Sequence, residues 1–137
     1  MRFDYVRQWL EGADNDIEAG EAIVERVMRS YETASFHAQQ AAEKALKALL
    51  IRHQIEFPKM HDLGELLRLA EPIAAGISQE LGDAEQLNRH AVDTRYPTFG
   101  PPVDRDQARR DLTLGARVRD YVRDLLQPYL DAGPRVS

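Results

Sequence analysis

Cysteine is absent from the 137 residues. That excludes a disulfide framework, a thiolate-ligated metal centre and a thiol nucleophile. Lysine is scarce, with only Lys44, Lys47 and Lys59 beside fifteen arginines. Against 23 acids the net charge is -5, so the chain as a whole offers no field for a polyanion, although a local basic patch is still open to it. Long apolar runs are missing too. The longest aliphatic run, residues 48–51, is four residues, far short of the roughly 20 a membrane-spanning helix needs. The first ten residues carry Arg2, Asp4 and Arg7 and no apolar stretch, which does not fit a secretory signal. The expectation is a cytoplasmic protein without membrane contact. Internal repeats, low-complexity tracts, period-2 alternation and Asn-Gly or Asp-Gly hairpin signals are also missing.

What is present is helical. Apolar residues at 43% and charged residues at 30% suit one globular domain. The expected architecture is all-α, an up-and-down antiparallel bundle of about five helices, three long and two short, over residues 3–130, with a frayed tail over 131–137. The first helix spans about Asp4 to Met28, with Tyr5, Trp9, Ala13, Asp16 or Ile17, Gly20, Ile23 or Val24 and Val27 or Met28 at a spacing of mostly three to four residues. The second, about Thr33 to Gln54, puts Ala34, Ala38, Ala41, Ala42, Ala45, Leu46, Ala48 and Leu49 on one face, and so many alanines let helices approach closely. Asp62 and Glu65 have capping-box spacing, so a short third helix starts there and ends before Pro72. A fourth is expected after Ser78 to about Val92. The segment from Asp93 to Val103 reads as a loop. Asp104 and Gln107 repeat the capping spacing and open a last helix that Pro128 should end or kink.

Common catalytic templates do not occur. There is no Gly-rich phosphate loop, no His-Glu-x-x-His and no Glu-x-x-His pair, and the four histidines are too scattered to suggest a metal site. The reading assigns no metal and no cofactor. Two features carry polar chemistry. His37, Gln40, Lys44 and Lys47 share a stripe of the second helix, either as a solvated face or as a binding patch. Arg95-Tyr96-Pro97 in the loop can pair with a phosphate and stack on a base, or can pack on the core.

The run 34–50, ASFHAQQAAEKALKALL, followed by His61-Asp62-Leu63 and then by Thr94-Arg95-Tyr96-Pro97, resembles the HEPN domain family over nearly the whole chain. The resemblance implies an all-α bundle that usually forms a homodimer. It also implies association with nucleotides or RNA, often beside a minimal nucleotidyltransferase in a toxin–antitoxin pair. Ribonuclease members of that family carry Arg followed four to six residues later by His. No stretch here fits. Arg29 and His37 are separated by seven residues, Arg52 and His61 by eight, and His90 with Arg95 has the reverse order.

The leading expectation is therefore a nucleotide- or RNA-associated module using Lys44, Lys47, Gln40, His61, Arg95 and Tyr96. The second is a non-catalytic dimeric interaction protein whose partner carries the chemistry. The third is an endoribonuclease with His61, His90 and Arg95 as its candidate groups. Charge is also polarised. Residues 1–30 hold seven acids and four arginines, whereas residues 37–61 hold four cations and two acids. An acidic first helix can be satisfied against a basic second helix, within one bundle or across a dimer.

Overall fold

A computed structural model describes residues 2–91 and 102–134, so Arg95, Tyr96 and Pro97 lie outside the described residues. Helix α1 covers Arg2–Val24, α2 Glu32–Arg52, α3 Leu63–Ala70, α4 Ile77–Leu81 and α5 Arg105–Ala132. A 3-10 turn, Glu71–Ile73, follows α3, and a 3-10 run, Gly82–His90, follows α4. No strand occurs among the described residues. No helix among them is long and apolar enough to cross a membrane.

The alanine face of α2 organises the bundle. Ala34, Ala38, Ala41, Ala42, Ala45 and Ala48 are fully buried. With mostly methyl groups on that face, α1 and α5 pack close to the α2 backbone. Gly115 of α5 marks the closest approach, since a Cβ there would lie 2.6 Å from the Ala38 carbonyl oxygen. Gly20 of α1 is likewise covered by Leu112 and faces the Ala34 carbonyl. Phe3 of α1 meets Tyr129 of α5 at one end, and Gly20 meets Leu112 towards the other, so α1 runs antiparallel to α5. Ser35 bonds Asp111, and Arg52 stacks on Tyr129, so α2 and α5 run parallel. The antiparallel expectation thus holds for α1 against its long neighbours, while the short elements return the chain for a parallel α5.

Local signals set several boundaries. Asp62 accepts bonds from the Gly64 and Glu65 N–H groups and opens α3. Asp104 accepts from the Gln107 N–H and opens α5. These bonds satisfy amides that have no partner inside the helix. Other expectations need correction. The buried stripe of α1 begins with Phe3, Val6 and Leu10 rather than Tyr5, which is exposed. The helix also stops at Val24, which leaves Val27 and Met28 beyond it and exposed. There the Tyr31 hydroxyl donates to the Arg26 carbonyl (2.6 Å) and accepts from the Met28 N–H (3.1 Å), fixing a turn instead of another helical turn. The fourth helix starts at Ile77 and becomes 3-10 from Gly82. Three residues per turn then stack Leu81, Ala84, Leu87 and His90 on one side, which carries His90 inward.

Pro128 does not end α5, which continues to Ala132 and stops at Gly133 with φ 78°. An interior proline costs about 3 kcal/mol. Tertiary contacts beyond it offset that cost. Leu126 and Tyr129 are buried, the Tyr129 ring lies 5.6 Å from Phe3, and the Arg52 guanidinium sits 4.2 Å above the same ring. Residues 131 and 132, expected in a frayed tail, are helical, and residues 135–137 lie outside the described residues.

Gly115→Ala should destabilise the fold by about 1–3 kcal/mol, because the new methyl meets backbone that cannot move aside. Gly82→Ala meets nothing within 4 Å and should be neutral or slightly stabilising. Urea denaturation of the two variants separates close packing from mere helix propensity.

Candidate functional site

Starting at the border of the alanine face of α2 and turning away from it, Ser35, Gln39, Glu43 and Lys47 follow one another at intervals of four residues. That spacing aligns them as one ridge. All four are buried. A polar group removed from water must find a partner or cost stability, and here each one does. The Gln39 amide donates to Glu43 Oε1 (2.9 Å), and the Lys47 ammonium donates to Glu43 Oε2 (2.9 Å). Gln40 donates to Gln39 Oε1 (2.7 Å). The Lys47 amine also lies 5.7 Å from the Trp9 ring centre and 5.4 Å from that of Phe57, a sandwich that suits a desolvated cation.

Two histidines stand at the edge of this ridge, each on a buried carboxylate. His61, just before the α3 cap, places Nδ1 3.1 Å from both Glu43 oxygens. Its side chain remains 64% exposed, so the other ring nitrogen faces outward. His90 places Nε2 3.0 Å from Asp111 Oδ2, and its side chain is only 9% exposed. Asp111 also accepts from Ser35 Oγ (2.7 Å) and from the Gln107 amide (2.9 Å). Asn88 joins the two regions. Its Oδ1 accepts from the Leu63 N–H (2.9 Å), and its amide donates to Asp62 (3.2 Å). The end of the 3-10 run is thereby held against the turn that carries His61.

Both carboxyls titrate below their ordinary range. Burial pushes Glu43 up, but hydrogen bonds from Gln39, Lys47 and His61, together with the Lys47 charge, outweigh burial. Burial likewise pushes Asp111 up, and bonds from His90, Ser35 and Gln107, together with the His90 charge, outweigh it. Both are therefore anions at neutral pH, so His61 and His90 donate to them. The arrangement gives one exposed, oriented imidazole and one nearly enclosed imidazole on the same side of α2.

The other residues of the sequence-defined stripe turn towards α1. Asp16, itself buried, receives His37 Nδ1 (2.8 Å) on one oxygen and Lys44 Nζ (2.7 Å) on the other. The Lys44 stem crosses Gly12, where a Cβ would stand 3.2 Å from it. The stripe is therefore neither a solvated face nor a row of free cations. His37 and Lys44 answer the acidic α1 within one bundle, and Lys47 is enclosed. Sequence reasoning missed Ser35, Gln39 and Asp111. The available signal was the four-residue recurrence of polar side chains inside an alanine-rich helix. Arg95 and Tyr96 lie outside the described residues, between Ala91, which follows His90, and Pro102, which precedes Val103. The Val103 carbonyl accepts from the Tyr31 N–H (2.9 Å), close to Ser35.

Lys47→Met should leave the Glu43 anion buried without its main partner and cost about 3–5 kcal/mol. Adding Glu43→Leu should recover most of that loss, as read by urea denaturation. Because both carboxyls are held low in the fold, their contribution is complete above their ordinary values of 4.5 and 3.8. It is lost as pH falls through the lower folded values. Asp111→Asn should therefore be less stable at neutral pH, yet lose less stability than the parent on acidification from about pH 5 to about pH 2.

The HEPN domain model matches residues 6–125. No curated protein matches the chain. Two solved structures are similar to it. ST0689, described as an archaeal HEPN homologue, has a TM-score of 0.70 and 25% identity, covering 88% of this chain and 97% of its own. TT1696 from Thermus thermophilus has a TM-score of 0.72 and 30% identity, with coverage of 87% and 96%. The match runs from the first buried turn of α1 into the last turns of α5, on an all-α bundle, and on that ground the chain belongs to the HEPN domain family.

Proposed function

We propose that this chain is a nucleotide- or RNA-associated module that acts as a homodimer beside a minimal nucleotidyltransferase, as one half of a toxin–antitoxin pair. The observation that carries the ligand reading is His61. Its imidazole is fixed through Nδ1 by an ionised, buried Glu43, and its outer nitrogen is presented to solvent. With its Nδ1–H given to Glu43, the neutral ring presents the outer nitrogen as an acceptor from a set position, which suits a ribose hydroxyl or a base N–H. Family membership supports the same reading, and so does the position of Arg95 and Tyr96 in sequence. In the chain they stand between His90, held by Asp111, and Val103, whose carbonyl accepts from the Tyr31 N–H. In this proposal Arg95 pairs with phosphate, Tyr96 stacks on a base, and His61 accepts from a ribose hydroxyl or a base N–H on the α3 side. Lys44 and Gln40 act less directly, because each is engaged within the bundle. Lys47 supports Glu43 and does not touch the ligand.

The partner enzyme carries the chemistry in this reading. The site around Glu43 and Asp111 offers one exposed imidazole, His61, and His90 is nearly enclosed on Asp111. A phosphodiester cleavage site needs proton transfer and charge stabilisation together. The arginine–histidine spacing of the family's ribonucleases is also absent from the sequence.

Arg95→Ala should weaken binding of a short single-stranded RNA by roughly tenfold or more, with helical content unchanged. His61→Ala should weaken it less, and His53→Ala not at all. Fluorescence anisotropy with a labelled oligonucleotide reads all three. Binding unchanged in the Arg95→Ala, His61→Ala double variant would refute the ligand reading. RNA cleavage by the purified parent, lost in His61→Ala or His90→Ala, would replace it with a nuclease.

A further inference from the structure

The outer side of α5 carries a charge pattern that the bundle leaves unanswered. Arg109, Thr113, Ala116, Asp120 and Asp124 fall within an arc of about 80° at 100° per residue. All are exposed except Ala116, which is half-buried. The stripe is positive towards the start of α5 and negative towards its end. Asp120 accepts from Arg119 (2.9 Å), and neighbouring Arg117 donates to Glu80 (3.3 Å). Arg109 and Asp124, at the two ends, have no ion-pair partner among the described residues. The stripe itself lines an open groove of about 760 Å³ between α5 and the end of α1, where Glu21, Val24, Leu112, Arg117 and Tyr121 complete the wall.

We propose that a second copy of this chain docks on this face, α5 against α5, antiparallel about a two-fold axis close to Ala116. The occupant follows from the charge order. Turning the stripe end for end places Arg109 of each copy opposite Asp124 of the other, and Thr113 opposite Asp120. The 15 residue steps from Arg109 to Asp124 correspond to about 22 Å along the helix. Two ion pairs would thus close the two ends of one contact. A parallel arrangement would oppose like charges, which is unfavourable. A ligand of one charge sign, such as a nucleic acid or a basic peptide, would meet its own sign along half of the stripe. Ala116 and Thr113 keep the middle of the contact small, so the helices can approach. Ala116 and Tyr121, the half-buried part of the groove wall, then lose their remaining exposure to water, the non-directional part of the attraction. One face meeting itself about a two-fold axis is the usual arrangement of a homodimer.

This inference rests on the homodimer reading above and adds the face that forms it. Sedimentation equilibrium at tens of micromolar should give twice the chain mass of 15.6 kDa for the parent. Arg109→Asp and Asp124→Arg should each weaken the dimer by roughly tenfold or more, since each puts like charges opposite one another. The double variant Arg109→Asp, Asp124→Arg should regain the parent dimer, because both pairs are restored with reversed sign. A parent dimer that is indifferent to either single reversal, or a double variant weaker than both singles, overturns this face and leaves the homodimer reading intact. A parent that stays monomeric overturns both.

Discussion

Helix α2 has the rest of the bundle packed around it and keeps little of its surface in water, so a polar side chain on it must be answered by another residue. Its alanines bring α1 and α5 close and leave no room for water on that side. Ser35, Gln39, Glu43 and Lys47 are then committed to partners within the protein. Ser35 finds Asp111 of α5, and Glu43 finds His61 of the turn before α3. The turn, the cap of α3 and the end of the 3-10 run are located by what α2 needs as much as by their own apolar contacts. The exposed imidazole of His61 follows from the same requirement. It is oriented because a buried carboxylate needs donors, and it is accessible because the ring lies at the edge of the bundle.

Much of the fold was legible in the sequence, and the reasons are local. The alanine period of α2 left little choice of buried face. Asp62 and Asp104 mark helix starts by a chemistry that works at short range. What escaped was set at long range. From Ala13 to Val24 the expected face of α1 is the buried one, but its first turn is not, because Tyr5 and Phe3 are both aromatic and only Tyr129, far along the chain, selects Phe3. The 3-10 geometry after Gly82 was not visible in a pattern of apolar residues that an α-helix would also accept. Pro128 was read by its intrinsic cost, yet Tyr129 and Leu126 retain the helix through packing that no local rule contains.

The candidate site was legible in part and for similar reasons. His37, Gln40, Lys44 and Lys47 share a helix face, but neighbours divide that face. Asp16 claims His37 and Lys44, while Glu43, Trp9 and Phe57 enclose Lys47. A helical wheel shows which residues share a direction and not what stands opposite. Glu43, which does not belong to the sequence-defined stripe, holds Gln39, Lys47 and His61 together. Asp111 is one of several charged residues in the first turns of α5, and nothing in the sequence around it marked it for burial.

The parallel pairing of α2 and α5 has a consequence for how the chain comes together. Helices α1 and α2 are joined by a short turn and meet as a hairpin, the cheapest kind of contact to close. Every contact of α5 with that hairpin is distant in sequence; the Ser35–Asp111 bond spans 76 residues. Loop-closure entropy rises only slowly with such a span, but non-local contact slows folding. The topological burden of the whole domain therefore falls on one event, the docking of α5. Until that docking occurs, Ser35 and the alanine face of α2 remain open to water, and afterwards the carboxylate of Asp111 is sealed inside with its hydrogen-bond donors.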